Sequence, residues 1–277
     1  MTDTMRITLL GSGSSAGVPR IGGDWGACDP AEPKNRRTRS SLLVQRWHGS
    51  PGAPLEATTI LIDTSPDLRE QMLAADIRHV DAVLYSHDHA DQVHGIDDLR
   101  AFFITHRRRI PVWMDAPTRG SLKQRFGYCF EGQGGYPAIL DDAGTLTPGA
   151  AISVDGPGGP IEALALLQDH GGTPSLGFRF GPAAYSNDLV AIPPESFAAL
   201  AGVELWVVDA LRRQPHPSHA HLAMTLDWIG QVRPARAVLT NMHIDMDYRT
   251  LRAELPAGVE PGFDGWQADL ALNRQAP

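Results

Sequence analysis

Short apolar runs, each ended by polar or turn-forming residues, recur along the chain and predict buried β-strands. In chain order they read RITLLG, TTILID, VDAVLYS, AISV, IEALALLQ, LGFRF, AAYS, LWVVDA and RAVLT. Three stretches have apolar residues at helical spacing and predict helices: DLREQMLAAD, TRGSLKQRFGY and AMTLDWIGQV. Because the last of these lies between two apolar runs, the pattern predicts strand, helix and strand in succession, as in α/β proteins.

Two segments depart from this pattern. Residues 17–41 combine proline, glycine and charge without periodicity, which predicts a long ordered loop or a functional one. Residues 102–142 join a predicted helix to the aromatic, glycine-rich stretch CFEGQGGYP, which is typical of an insertion. No linker is visible in the middle of the chain. We therefore predict one domain over residues 1–277, with an insertion around 102–142.

Composition and charge narrow the function. The 277 residues are 42% hydrophobic and 20% charged, which is enough to bury a sizeable core. The formal net charge of −8 counts against a long nucleic acid as partner, since such partners are held by basic surfaces. The sequence shows no leader-like N-terminus and no apolar run near the ~18 residues of a membrane span. We expect a cytoplasmic protein without a membrane partner, and two cysteines fit a reducing compartment.

The stretch SHDHADQVHG, residues 86–95, is the strongest candidate for chemistry. In an extended segment, side chains two residues apart point the same way, so His87 and His89 would face one point. Asp91 can supply a carboxylate to that point or to a second ion, and it would cap a helix over residues 92–103. Solvated loop histidines are the alternative, but the apolar run before them favours a metal site.

Two further strand ends can complete such a site, because a first-row metal needs more ligands than these. His170 follows an apolar run and precedes two glycines, and Asp188 follows the run AAYSN. Taken singly, each residue fits a turn equally well.

The ordered motifs GSGSSAGVPR, LIDTSPDLR, SHDHADQVHGIDDLR, DHG, YSND and HPSHAHL…LTNMHIDMDY resemble the metallo-β-lactamase superfamily. The resemblance extends from about Ile7 to Trp266. Within the superfamily, the chain is most similar to the branch of the phosphoribosyl cyclic phosphodiesterase of the carbon–phosphorus lyase pathway, and more distantly to tRNase Z. The resemblance implies an α/β fold of four layers, an αββα sandwich, with a dinuclear metal centre.

The resemblance also implies roles for particular residues. His87, His89 and His170 would bind the first metal, and Asp188 would bridge to a second metal that Asp91 also binds. The predicted catalytic residues are His219 and Asp91.

His219 would contact the substrate phosphate and protonate the leaving oxygen. Asp63 would steady a ligating histidine, with a helix cap as its alternative role. We interpret His94, His216 and His221 as surface residues.

The chain departs from the family pattern at the second metal. Family members have imidazoles where this chain has Gln92 and Asn241. An amide oxygen is a harder and weaker donor, so the second site should favour zinc less and tolerate manganese, magnesium or vacancy more. His243 could restore this site if the strand continues, and a solvent-facing side chain is its alternative. The predicted metal ligands are His87, His89, Asp91, His170, Asp188 and His243, for one or two divalent ions, zinc or manganese.

The long loop departs as well. Some relatives bind a structural zinc there through several cysteines, whereas this loop has only Cys28, so we predict no such zinc. The basic run KNRRTRSS is typical of a solvated surface, with Arg37 or Arg39 as an anion clamp the alternative.

We predict a metal-dependent phosphodiesterase in which metal-bound hydroxide attacks a small nucleotide-like or cyclic ribose phosphate. Two alternatives stay open: a non-hydrolytic protein that binds a phosphate ligand next to a degraded second metal site, and a nuclease that processes tRNA 3′ ends. Lactonase, thioesterase and β-lactamase reactions use the same scaffold and are not excluded by fold. The expected partner is a small phosphorylated substrate, and a homodimer is left open.

Overall fold

The computed structural model describes residues 2–272. These residues form two compact units. The first unit comprises residues 2–8, 41–163 and 267–272, and the second comprises residues 9–40 and 164–266. A single domain over the whole chain stays a prediction. Within the described range, none of the helices is long and apolar enough to cross a membrane.

The first sheet has seven strands, and three of them come from the predicted apolar runs RITLLG, TTILID and VDAVLYS. In order across the sheet they are β14 (Trp266–Leu272), β1 (Asp3–Gly11), β2 (Ser41–Trp47), β3 (Thr58–Ile62), β4 (Ala82–Leu84), β5 (Ile110–Met114) and β6 (Leu140–Thr145). β3 runs antiparallel to β2 and parallel to β4, and every residue of β3 and β4 is buried. Strands buried on both faces read as continuous apolar runs, which is why the pattern predicted them.

The α-helices described in the first unit include two of the three that the sequence predicts there. They are α1 (Leu68–Ala74), α2 (Ala90–Val93), α3 (Arg100–His106) and α4 (Ala116–Glu131). α4 begins where the Asp115 carboxylate accepts a hydrogen bond from the Thr118 backbone N–H at 2.9 Å. The backbone of Phe126 is not helical, with φ −128° and ψ 30°, so α4 is kinked there.

The predicted helix over residues 92–103 is wrong, because the chain breaks at Gly95. α2 ends at Val93, a 3-10 helix spans Ile96–Leu99, and α3 follows. A side chain at Gly95 would meet the Ser65 carbonyl oxygen at 2.1 Å, so only glycine allows this close approach. Asp91 is therefore no helix cap: it lies in the first turn of α2, and His89 occupies the capping position.

The segment predicted as an insertion contains a sheet strand. β5 lies within residues 102–142 and pairs with β4 and β6 in parallel. Its residues Val112 and Met114 are fully buried. The remainder of the segment is mostly α4 and the glycine-rich loop after it.

The second sheet also has seven strands, and it combines a parallel part with an antiparallel part. In order they are β13 (Val259–Pro261), β12 (Arg236–Thr240), β11 (Leu205–Asp209), β10 (Ala183–Ser186), β9 (Pro174–Phe180), β8 (Ile161–Asp169) and β7 (Ala151–Val154). The strands from β8 to β10 pair antiparallel, and those from β10 to β13 pair parallel. The carboxyl ends of β10, β11 and β12 therefore meet at one edge of the sheet.

Core packing in the second unit holds the ends of β10 and β11 together. Trp206 in the middle of β11 is fully buried, and its indole N–H donates to the Ser186 hydroxyl at the end of β10 at 3.1 Å. Around it pack Val208, Leu200 and Leu239. The helices of this unit are α5 (Pro194–Ala198), α6 (Leu222–Val232) and α7 (Tyr248–Glu254). The predicted succession of strand, helix and strand is confirmed by β11, α6 and β12.

Candidate metal centre

Three non-glycine residues adopt left-handed backbone conformations within two residues of the ends of strands that lead to the predicted site. Asp63 follows β3 with φ 62°, Asp188 follows β10 with φ 52°, and Asn241 follows β12 with φ 59°. Aspartate and asparagine tolerate this conformation better than most residues. Such positions are sparsely populated, and they cluster at functional sites because the surrounding structure must hold them there.

In the first unit, the two histidines of the central motif lie side by side after β4. The ring centroids of His87 and His89 are 4.5 Å apart. His87 is buried and His89 is exposed. Two adjacent imidazoles at a strand end are the arrangement that the spacing predicts.

A hydrogen-bonded relay holds His87 from behind. The buried carboxylate of Asp63 accepts from the Ser86 backbone N–H at 2.8 Å and from the Ser86 hydroxyl at 2.7 Å. The same hydroxyl lies 3.0 Å from Nδ1 of His87 and accepts its proton. Burial raises the pKa of Asp63 to about 7, and the nearby charge of Asp91 acts in the same direction. Asp63 thus steadies His87 through Ser86 and does not cap α1, whose N-cap is Asp67.

The residues after the two histidines differ in exposure. Asp91 is half-buried in the first turn of α2, whereas Gln92 is fully buried and its backbone carbonyl accepts from the Thr64 N–H at 2.7 Å. His94 is exposed, as predicted, and packs edge-on against Phe126 with ring centroids 5.9 Å apart.

In the second unit, three predicted residues converge. His170 follows β8, Asp188 follows β10, and His219 lies in the loop before α6. One potential ligand atom from each lies within 4.8 Å of those of the other two. The rings of His170 and His219 are 4.6 Å apart. The imidazole of His170 and the carboxylate of Asp188 are donors that zinc and manganese accept.

Outer hydrogen bonds orient these side chains. Nδ1 of His170 donates to the Ser218 carbonyl at 2.7 Å, so in the neutral ring Nε2 carries the lone pair that a metal requires. Asp188 accepts from the Asn187 side-chain amide at 2.8 Å, and its backbone carbonyl accepts from the Ser175 hydroxyl at 2.7 Å. The residues present therefore fit a divalent metal ion.

His219 has a buried partner that sequence reasoning missed. Its Nδ1 lies 3.1 Å from Oδ2 of Asp209 and 3.4 Å from Oδ1 of Asp188. Asp209, the last residue of β11, is fully buried, and this burial raises its pKa while the contact with His219 opposes the rise. The signal in the sequence was an aspartate that ends the apolar run LWVV, as Asp63 ends its own run.

Asn241 contacts the same cluster. Its side-chain Nδ2 donates to Oδ1 of Asp188 at 3.0 Å and lies 3.2 Å from Nδ1 of His219. An amide N–H thus faces the carboxylate that the resemblance assigns as a metal bridge. In this orientation Asn241 acts as a hydrogen-bond donor to Asp188, whereas the sequence argument considered only its oxygen as a weak metal ligand.

His243 has two other partners. Its Nε2 contacts the guanidinium of Arg20, and its Nδ1 lies 3.0 Å from Oδ1 of Asp245. Both ring nitrogens are engaged, so His243 would have to leave Arg20 or Asp245 to bind a metal. A role as metal ligand stays a prediction for His243.

Two interpretations of nearby residues need correction. Arg37 is buried and donates to the Met246 carbonyl at 2.7 Å, so it is a structural tie of the long loop and not a clamp for substrate anions. His216 is half-buried with its ring 5.0 Å from that of His219, so it is less of a surface residue than its sequence context predicted. Burial and the neighbouring His219 lower the pKa of His216.

The similarity of the chain to known proteins agrees with a metal centre at these residues. Residues 58–244, more than half of the chain, match the beta-lactamase superfamily domain. The chain belongs to the beta-lactamase superfamily. The superfamily's fold, the predicted αββα sandwich, is confirmed by a solved structure described as a new diphosphatase from the PhnP family. That structure is 33% identical, has a TM-score of 0.85, and aligns over 98% of this chain and 99% of its own. Because the chain belongs to this superfamily and contains candidate metal ligands, it is a metallo-hydrolase.

More distant solved structures share the fold alone. Zinc-bound PqqB from Methylobacterium extorquens is 17% identical with a TM-score of 0.70, over 96% of this chain and 100% of its own. The short form of human tRNase Z is 13% identical with a TM-score of 0.62, over 95% and 98% of the two chains.

One curated relative is much longer. A protein of Porphyromonas gingivalis named octanoyltransferase is 34% identical over 272 residues, which are 95% of this chain. This chain spans about half of that protein, 51% of its length.

Proposed function

We propose that this metallo-hydrolase cleaves phosphorus–oxygen bonds in small phosphorylated substrates, first of all phosphodiesters of the nucleotide-like or cyclic ribose phosphate kind. The observation that carries the proposal is the position of His219. It lies beside the candidate ligands His170 and Asp188, with its Nδ1 directed at the buried carboxylate of Asp209. Phosphodiester cleavage requires a group that hands a proton to the departing oxygen, and an imidazole held in this way suits that task.

The metal would be held by predicted ligands of this chain. His170 and Asp188 are the candidates in the second unit, and His87, His89 and Asp91 remain the predicted ligands in the first. A divalent ion bound there would lower the pKa of water and offset the charge of the phosphate. Zinc and manganese both fit a set of imidazoles and carboxylates, so the identity of the metal is part of the proposal.

His219 would act through its second ring nitrogen. A proton on Nδ1 that is shared with Asp209 fixes the tautomer and orientation of the ring. Nε2 then carries the proton for the leaving oxygen when the imidazole is charged. The buried carboxylate stabilises that charged form, which is the role of an aspartate behind a catalytic histidine in other hydrolases.

A phosphoanhydride is a second candidate for the scissile bond. The structure at 33% identity, which aligns over almost the whole of both chains, is described as a diphosphatase. Hydrolysis of a diphosphate has the same requirements as that of a phosphodiester, namely a metal-assisted attack by water and a charge partner for the leaving oxygen.

The test is steady-state hydrolysis with zinc and with manganese. Bis(p-nitrophenyl) phosphate, a nucleoside 2′,3′-cyclic phosphate and a nucleoside diphosphate separate the candidates for the bond. We expect turnover of at least one, and we expect His219→Ala to reduce kcat for it by roughly 10²–10⁴-fold. Hydrolysis of none of them by metal-loaded protein would refute the proposal and favour a non-hydrolytic phosphate-binding protein.

Processing of tRNA 3′ ends is a weaker candidate. The net charge of −8 argues against an extended grip on RNA. A gel shift with precursor tRNA separates this function from the one proposed. Octanoyl transfer is not proposed, since the relative with that name is about twice as long.

A further inference from the structure

The first unit has an aromatic depression outside the predicted metal ligands. Its volume is about 520 Å³, and it is lined by Arg100, Tyr128, Gln133, Gly134 and Tyr136. Tyr136 is 71% exposed and Tyr128 is 37% exposed. Both rings can therefore be reached from solvent, and they share the depression with a guanidinium and an amide.

A tight hairpin presents one side of this depression. The backbones of Gln133 and Tyr136 exchange two hydrogen bonds of 3.0 Å each. The two residues between them, Gly134 and Gly135, have φ of 59° and 87°, the conformation of a two-residue hairpin turn. A side chain at Gly132 would meet the Tyr136 carbonyl oxygen at 2.6 Å. The loop is thus built around glycines, and it holds Gln133 opposite Tyr136.

The positive charge of Arg100 in the depression is already neutralised by Asp97. Arg100 lies with its guanidinium carbon 5.9 Å from the centroid of the Tyr136 ring and is paired with Asp97 at 2.5 Å. The balanced charge argues against a polyphosphate as the ligand held here. An aromatic ring with a polar edge is favoured instead, because a flat π-face stacks on tyrosine.

We propose that this depression binds the nucleobase of a nucleotide substrate, an inference that rests on the proposed function. The ring of Tyr136, the more exposed of the two tyrosines, stacks on the face of the base, and the Gln133 amide, which is both donor and acceptor, reads its edge. The inference narrows the proposed substrate class, small nucleotide-like or cyclic ribose phosphates, to those that carry a base.

The helix α4 contains Tyr128, which lines the depression, and Arg125, which contacts the histidine motif. Tyr128 lies three residues after Arg125 in α4, across the kink at Phe126. The Arg125 guanidinium donates at 2.8 Å to the backbone carbonyl of Asp88, the residue between His87 and His89. A nucleotide whose base lies in this depression can thus direct its phosphate toward the motif.

Adenosine is the probe, because it carries a base but no bond that this enzyme would cleave. Binding to the full-length, metal-loaded protein is measured by calorimetry, with ribose as the ligand that lacks the base. We expect adenosine to bind and ribose not to bind. We expect Tyr136→Ala to weaken adenosine binding about tenfold or more, and Tyr136→Phe, which keeps the ring, to change it little.

Leu73→Ala is the matched control, since Leu73 is an exposed apolar residue of the same unit that does not line this depression. It should leave adenosine binding unchanged. Equal binding of adenosine by wild type and Tyr136→Ala, or binding of ribose as tight as that of adenosine, would overturn the inference.

Hydrolysis of bis(p-nitrophenyl) phosphate in the same samples separates the two proposals. Turnover without adenosine binding overturns the nucleobase site alone. Adenosine binding that depends on Tyr136, without turnover of any phosphate substrate, supports the site and overturns the proposed function.

Discussion

Nδ1 of His219 lies 3.1 Å from Oδ2 of Asp209, whose carboxylate is fully buried at the end of β11. The loop before α6 presents the histidine, and the strand presents the aspartate. The hydroxyl of Thr225 on α6 donates to the backbone carbonyl of Asp209 at 2.7 Å, so helix and strand are fixed to each other at this point. The pair fixes the orientation of the His219 ring, and the carboxylate stabilises the charged imidazole that donates a proton through Nε2.

Asp209→Asn removes the charge behind His219 while it keeps the size of the side chain. Loss of a hydrogen-bonding partner behind a functional group typically costs about 10–100-fold, and we expect kcat to fall by that amount with little change in KM. Steady-state kinetics across pH measures it, and the pH dependence of kcat should change as well. Asp227→Asn, on the exposed face of α6, is the control. Unchanged kcat and pH profile in Asp209→Asn would argue that His219 works without the buried carboxylate.

His170→Ala removes a candidate metal ligand and its hydrogen bond to the Ser218 carbonyl. Removal of a hydrogen bond to a metal ligand typically lowers metal affinity by roughly 10–100-fold. Removal of the ligand itself should lower the metal affinity by more than this. Elemental analysis after dialysis measures the metal that remains. His48→Ala, at an exposed histidine of the other unit, should retain wild-type metal content. Equal metal content in both variants would remove His170 from the ligand set.

Asn241 donates an N–H to Asp188 at 3.0 Å, where the family pattern has an imidazole. We expect wild-type protein to hold one tightly bound metal, and the double variant Gln92→His, Asn241→His to approach two, because each imidazole supplies a lone pair to the second site. Metal titration followed by calorimetry counts the sites. Two tight sites in the wild type would contradict this prediction.

His79 and Asp81 form a buried pair in the first unit that contributes stability in a pH-dependent way. Nε2 of His79 lies 3.2 Å from the carboxylate of Asp81 and 2.9 Å from the Ala57 carbonyl. The contact with Asp81 raises the pKa of His79 above its ordinary 6.5. The stabilisation is therefore complete below about pH 6.5 and is lost as the pH rises through the raised pKa.

His79→Gln keeps a donor toward Ala57 and removes the charge. It should lower the free energy of unfolding by about 1–3 kcal/mol below pH 6.5 and by less at pH 9. Urea unfolding at both pH values measures this difference, with the exposed His48→Gln as control. A penalty of the same size at both pH values would show that packing, and not the charge, is what His79 contributes.

The sequence predicted the strands well because burial on both faces leaves a simple signal. The run TTILI became β3, and AVL became β4, with every residue buried. The positions of Asp63 and Asp188 at strand ends followed from the same signal. Helix boundaries in the motif were harder, because Gly95 is needed for contact with Ser65, a residue 30 positions away, and nothing local reveals that contact.

The sequence also did not reveal the hydrogen-bond partners of the candidate site residues. Ser86 between Asp63 and His87, the Ser218 carbonyl behind His170, and Asp209 behind His219 are all of residue types too common to attract attention in a sequence. His243 was judged by its spacing alone, and spacing could not reveal that Arg20, more than 200 residues earlier, contacts its ring. Such contacts depend on which loops the fold brings to one sheet edge.

The most direct measurement is phosphodiester turnover and metal content in one sample, before chelation, after chelation and after return of zinc or manganese. The account predicts at least one metal per chain, turnover of at least one of the three phosphate substrates that is lost with the metal, and its recovery when the metal is returned. Turnover that survives complete removal of the metal, or fully loaded protein that hydrolyses no phosphate substrate, would contradict it.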